Sequence, residues 1–299
     1  MTAPLLRCSD ARIDAQGSVL LDALTFEADG ARVGLLGAFG PLFRLLARNA
    51  ELSRGTVDVL GCPASEAAGK NQIGLAPLDP VLPEPWTVIE YLTASAGLLG
   101  LSRRAAARTA RDALELVGTA GLAKRKITTL ATAERRAVLI AHAVVGRPPA
   151  IFVERPLSGL SDQDAGVVQK VLELATHGRR LIVSVETPAG VGPELNLLTV
   201  MDRVAVMEGS AVVAVGPPAE ALKPSPRCVV FTTKHAPALV KLLVDRGLRV
   251  ERSEDESAEA GRLVVHLPEG ATTMTIVDAA LEVEAPLLEM VSVGLDPPG

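Results

Sequence analysis

Aromatic residues are scarce, with one Trp, one Tyr and five Phe in 299 residues. So few flat side chains leave few platforms for stacking bases, and a net charge of −5 gives no general attraction for a phosphate backbone. Both absences argue against a nucleic-acid-binding module. The three cysteines, Cys8, Cys62 and Cys228, are too far apart for a CxxC motif or a disulfide framework, and no histidine cluster accompanies them. No metal site is expected. A membrane-spanning helix needs about 18 uninterrupted apolar residues, and the nearest approach, residues 137–153, is broken by His142, Arg147, Pro148 and Pro149. The amino terminus lacks the basic region and apolar run of an export signal. These features point to the cytoplasm. His142 and His177 have no acid and nucleophile at useful spacing and read as core or surface residues.

What is present is apolar and periodic. A hydrophobic content of 48% can fill a sizeable core, and the length suits about two domains. Residues 20–26 alternate toward a turn at Asp29-Gly30, and 32–36 form a short apolar run ending at Gly37, so two strands are expected. An apolar helix follows at 42–47, which makes residues 37–41 a strand-to-helix connection. Further strands are expected at 55–61 and 73–75, and a helical region over about 87–145. Strands at 150–153 and 181–185 flank a helix at 163–176, a strand–helix–strand unit that implies parallel sheet. Strands at 204–207 and 211–215 read as a hairpin, and the prolines at 217, 218, 224 and 226 mark a boundary. The reading is an α/β domain over 1–222, a linker at 223–227 and a second domain at 228–299. Strand, helix, strand, strand, helix and strand in the latter give the βαββαβ order of a small α+β, ferredoxin-like fold.

The order of these landmarks resembles that of ABC transporter ATPases, closest to the subunits of drug-export and sodium-export type systems with a small carboxy-terminal domain. The likeness runs from about residue 5 to 222. It is carried by Val33-Gly34-Leu35-Leu36-Gly37, Gly55-Thr56-Val57, Ile73-Gly74, Thr87 to Leu92, Glu115 to Gly118, Ser158-Gly159-Leu160 and Asp202 to Gly209. The fold it implies is a P-loop NTPase-type nucleotide-binding domain with a helical subdomain at about 87–145.

Against that family's pattern, the side chains that hold and hydrolyse ATP are replaced. The P-loop keeps Gly37 and Gly40, but Pro41 removes an amide, Leu42 stands for a glycine, Phe43 for the lysine, and Arg44 and Leu45 for the hydroxyl residues. Glu154 stands for the magnesium-binding aspartate and Arg155 for the catalytic glutamate; a guanidinium stays protonated and is no base. Leu78 replaces the magnesium-sensing glutamine, Glu186 the phosphate-contacting histidine, Ala15 the adenine-stacking aromatic, and Ser161, followed by Asp162, the expected aspartate. The signature loop reads Leu130-Ala131-Thr132-Ala133-Glu134, without its serine and glycines.

The resemblance thus implies a non-catalytic homologue with no ATP or magnesium as working cofactor, serving as a structural or regulatory subunit. A chain with weak residual ATP binding or hydrolysis, with Glu154 on the metal, and a cytoplasmic scaffold unrelated to transport are the alternatives. Implied partners are a second copy or an intact ATPase paralogue, and a membrane permease docked through the stretch from Leu78 to Trp86, which would place the chain on the inner membrane face. Arg44 and Glu154 are placed to pair and fill the emptied pocket, the alternative being two solvated charges on separate surfaces.

Overall fold

The computed structural model describes residues 4–67, 69–186, 192–208, 210–222, 227–232, 234–252, 261–267 and 272–293. The chain divides into two compact units, Met1–Leu222 and Lys223–Gly299. The expected linker at 223–227 lies, apart from Arg227, outside the described residues.

The first unit runs β1 (Leu6–Ala15), β2 (Ser18–Ala28), β3 (Arg32–Leu36), α1 (Gly40–Leu46), β4 (Glu51–Val59), β5 (Cys62–Pro63), α2 (Ala64–Ala67) and β6 (Ile73–Ala76). It continues with α3 (Val88–Gly97), α4 (Arg103–Leu116), α5 (Thr132–Ala143), β7 (Ala150–Glu154), α6 (Asp162–Thr176), β8 (Arg180–Val185), α7 (Pro193–Thr199), β9 (Arg203–Glu208), β10 (Ala211–Gly216) and α8 (Pro218–Ala221). Among the described residues no helix is long and apolar enough to cross a membrane.

Six strands in the order β10-β9-β3-β8-β7-β6 form the central sheet; all neighbours are parallel except the β9–β10 hairpin. Strands β7 and β8 read as continuous apolar runs because they are buried on both faces. One face carries the helical core, where Val88, Leu92, Ala110, Leu114, Val138 and Leu172 meet Ile151 and Val183. The other face packs Phe39, Leu42, Phe43 and Phe152 against Leu6, Ile13 and Leu24 of a second sheet, β2-β1-β4-β5, which is antiparallel. The helices start where local chemistry allows. Thr87 and Glu90 exchange capping hydrogen bonds at α3, with the Thr87 N–H donating to Glu90 at 2.8 Å, and Ser102 accepts from the Ala105 N–H at the start of α4.

Strand β1 has no counterpart in the sequence reading. Its apolar residues fall at Leu6, Cys8, Ala11 and Ile13, and the change of step comes from a bulge between Cys8 and Ala11 with Asp10 at φ 47°. Opposite it, Gly55 has φ +75°, and a Cβ there would lie 2.2 Å from the Asp10 carbonyl oxygen, so the bulge and the glycine require each other.

In the second unit β11 (Arg227–Thr232), α9 (Ala236–Asp245), β12 (Arg249–Arg252), β13 (Gly261–His266), α10 (Thr273–Glu282) and β14 (Leu287–Val293) follow one another. The strands form an antiparallel sheet in the order β12-β13-β11-β14, and Val230, Leu263 and Val265 pack with Leu239, Leu243, Ile276 and Ala279 from the two helices.

Candidate functional site

Parallel sheets gather loops at the carboxyl ends of their strands, where ligands of such folds sit. Here that edge collects Gly37 after β3, Pro77-Leu78 after β6, Glu154-Arg155 at the end of β7 and Glu186 after β8. All the substituted positions picked out on these strands are therefore neighbours by topology.

In the loop after β3, Gly37 donates to the Val185 carbonyl at 2.8 Å, Phe39 donates back to Gly37 at 2.8 Å, and Leu42 to Phe39 at 3.0 Å. Gly37 itself has φ +117°, and a Cβ would lie 2.4 Å from the Met207 carbonyl oxygen. Gly40 is under no such demand, since a Cβ there would meet Glu154 Oε1 at an ordinary 3.6 Å. Helix α1 is short and carries Pro41 in its first turn. Leu42 and Phe43 are buried, and Phe43 meets Phe152 edge to face at 6.3 Å between centroids, while Phe39 meets Phe26 at 5.6 Å. Leu45 is half-buried and Arg44 exposed.

The expected pairing of Arg44 with Glu154 is corrected: no ion pair joins them. Glu154 instead accepts the Leu78 N–H at 3.0 Å, a main-chain donor brought to it by the parallel pairing of β6 with β7. Beside Glu154 lies only a narrow crevice, bounded by Pro77, Arg136 and Pro156. Arg155 stands at φ 45°, donates its N–H to Ser184 O at 3.1 Å and Ser184 Oγ at 3.2 Å, and sends its guanidinium to Ser158 Oγ at 3.2 Å and to Glu186 at 2.5 Å. Burial lowers the pKa of the Arg136 guanidinium; Asp79 opposes this, and the charges of Arg135 and Arg155 add to it. Burial pushes the Glu194 carboxyl up, Arg155 opposing and Glu186 reinforcing.

At the signature-loop position Leu130 and Ala131 precede α5, and Thr132 and Ala133 open it. Glu134 accepts the Ala131 N–H at 2.9 Å and forms an ion pair with Arg125, whose other amino group reaches Thr129 O. Ala15 closes β1 opposite Ser18. Ser161 caps α6, accepting the Asp164 N–H at 3.2 Å, and Asp162 is exposed in its first turn. In the stretch proposed for docking, Val81 is fully exposed and Trp86 39% exposed.

Sequence reasoning missed Arg125, Arg136, Ser158 and Ser184 as partners of the substituted residues. None has a local signal: Ser184 meets Arg155 only because β7 and β8 pair. It also missed a groove of about 1400 Å³ at the opposite ends of the strands, where Leu99, Leu101 and Leu116 lie with Arg108, Arg147 and Arg179.

The layered sheet with its helical side is the α/β fold of ABC nucleotide-binding domains. The structure of cbiO1 from Clostridium perfringens, part of the ABC transporter complex cbiONQ, superposes with a TM-score of 0.60 at 19% identity, over 73% of this chain and 90% of that one. In sequence, the chain is 31% identical over 157 residues to the lipoprotein-releasing system ATP-binding protein LolD of Oleidesulfovibrio alaskensis, covering 48% of this chain and 68% of that protein. It is also 31% identical over 212 residues to the phosphonates import ATP-binding protein PhnC of Anaeromyxobacter dehalogenans, covering 64% of this chain but only 41% of that protein. No protein-family model matches. The chain belongs to the ABC transporter ATP-binding protein family.

Proposed function

We propose that this chain is a non-hydrolysing member of its family, a structural or regulatory subunit retained for its shape. One observation carries the reading: Phe43, Glu134, Glu154, Arg155 and Glu186 are each committed to another part of their own chain. Phe43, at the lysine position, is core packing against Phe152. Arg155, at the base position, is bound to Glu186, which stands at the histidine position. Glu154 accepts from the Leu78 main chain, and Glu134 occupies the start of α5.

Magnesium-ATP is the group the family implies, and the residues do not fit it. Phosphates need converging amides and a cation. The Phe39 and Leu42 amides are spent within the loop, and Pro41 has none. The alternative of weak ATP binding through Glu154 draws on its carboxylate alone, and that carboxylate already holds Leu78.

The same reading assigns a second copy or an intact paralogue as partner, and a permease contacting exposed Val81 and Trp86. That would hold the chain at the cytoplasmic face of a membrane. The carboxy-terminal unit, with strand order β12-β13-β11-β14, is assigned as ferredoxin-like. The test is thermal unfolding with millimolar magnesium-ATP alongside a phosphate-release assay. A ligand that binds the native state raises its midpoint by mass action. A flat midpoint and no release are expected; release above a no-protein blank that follows the protein through purification would overturn the reading.

A further inference from the structure

We propose that Arg155 and Ser158 form an oxyanion site that Glu186 fills from within the chain. The site takes phosphate-like anions once that carboxylate is removed. The inference rests on the reading that this position no longer serves hydrolysis.

The cation is fixed before the anion arrives. Two hydrogen bonds from the Arg155 N–H to Ser184 hold its main chain at φ 45°, and Ser158 Oγ takes one guanidinium nitrogen at 3.2 Å. Glu186 takes another at 2.5 Å. A guanidinium offers five N–H donors in a planar fork suited to carboxylate and phosphate alike, so the carboxylate is one of several anions the site can accept. Arg136 lines the narrow crevice beside Glu154, the residue before Arg155, and is half-buried with its Nε lacking a hydrogen-bond partner.

Glu186 is the gate. Its side chain is 50% exposed and that of Arg155 32%, so the pair is held about as weakly as a surface ion pair. Yet a second anion entering while Glu186 remains would meet its negative charge, with the Glu154 carboxylate at the end of the strand just before Arg155. Self-occupancy therefore rests on like-charge exclusion as much as on the strength of the pair.

The full-length protein, Glu186→Gln, and Glu186→Gln combined with Arg155→Gln are unfolded thermally in rising inorganic phosphate, against chloride at equal ionic strength to cancel screening. The wild type is expected to show no phosphate-specific shift, Glu186→Gln a rise of roughly 2–4 °C at saturation, and the double variant none. An equal response in wild type and Glu186→Gln, or a response that survives loss of Arg155, overturns the proposal. If Glu186→Gln does not fold, Glu186→Ala takes its place with the same outcomes. ATP hydrolysis by the wild type would overturn the functional reading alone, because the phosphate series is read on unfolding midpoints in variants of one position.

Discussion

Phe43, which the functional proposal sets at a phosphate-binding position, is part of the core of the first unit. Its ring is almost fully buried against Phe152, in a cluster with Leu42 and Leu46. Phe43→Ala is expected to cost about 3–5 kcal/mol, measured by urea unfolding, because it removes buried area and leaves a cavity. Phe43→Lys is expected to destabilise as well and to restore no hydrolysis, since the ammonium would enter an apolar core and Arg155 would still be no base. A second residue-scale test concerns His142, stacked on Tyr91 at 5.3 Å, with Nδ1 3.3 Å from the Leu75 carbonyl oxygen. Burial pushes its pKa below the ordinary value, and the hydrogen bond to Leu75 opposes that only in part. The folded state therefore binds fewer protons at this site than the unfolded chain. Its contribution is complete above about pH 6.5, the ordinary histidine value, and is lost as pH falls below it, by at most about 1.4 kcal/mol per pH unit. Unfolding free energy between pH 7.5 and 5.5 should fall more steeply for the wild type than for His142→Gln. Equal slopes would remove His142 as the cause. From the sequence, the residue types at positions 43, 154, 155 and 186 were legible, but their partners were not. Arg155 pairs with Glu186 rather than Arg44 with Glu154, the pair suggested by the P-loop lying beside the adjacent strand end, because strand pairing and the Leu78 N–H decide where those carboxylates point.

At the scale of elements, strands buried on both faces announced themselves. Segments such as 32–36 and 150–153 are short apolar runs. Strand β1 was hidden because a bulge shifts its alternation at Asp10, and two-residue periodicity is all that marks a half-buried strand. The four-residue helices α2 and α8 are too short to show a helical period. Helix α5 carries an element-scale prediction. Its amino end lacks a side-chain cap from Ala131, so Glu134 takes over by accepting the Ala131 N–H and pairing with Arg125. Glu134→Ala should therefore loosen the first turn of α5 and lower stability by about 0.5–2 kcal/mol, with Glu134→Gln, which keeps the acceptor, losing less. Amide exchange at residues 131–135 would localise the effect; unchanged protection there would place any loss elsewhere.

For the whole molecule, the question is which parts fold as units. Among the described residues, the helical-side core and the sheet-side core of the first unit draw on residues between Leu5 and Leu222, and the third core on residues between Val230 and Leu287. Each unit thus has apolar burial of its own, which is the physical requirement for independent folding. Size separates them: a unit of about 75 residues buries a smaller fraction of its surface than one of about 220 and is correspondingly marginal. A chain ending at residue 222 is accordingly expected to keep its far-ultraviolet circular dichroism and cooperative unfolding, with a midpoint within a few degrees of the same transition in the full chain. The isolated carboxy-terminal unit should unfold at lower temperature. If the truncated first unit instead lost cooperativity, its stability would depend on residues beyond 222. Its two cores would then be insufficient, and the substituted site would owe its rigidity to the second unit as well as to the ties at Ser184, Leu78 and Arg125.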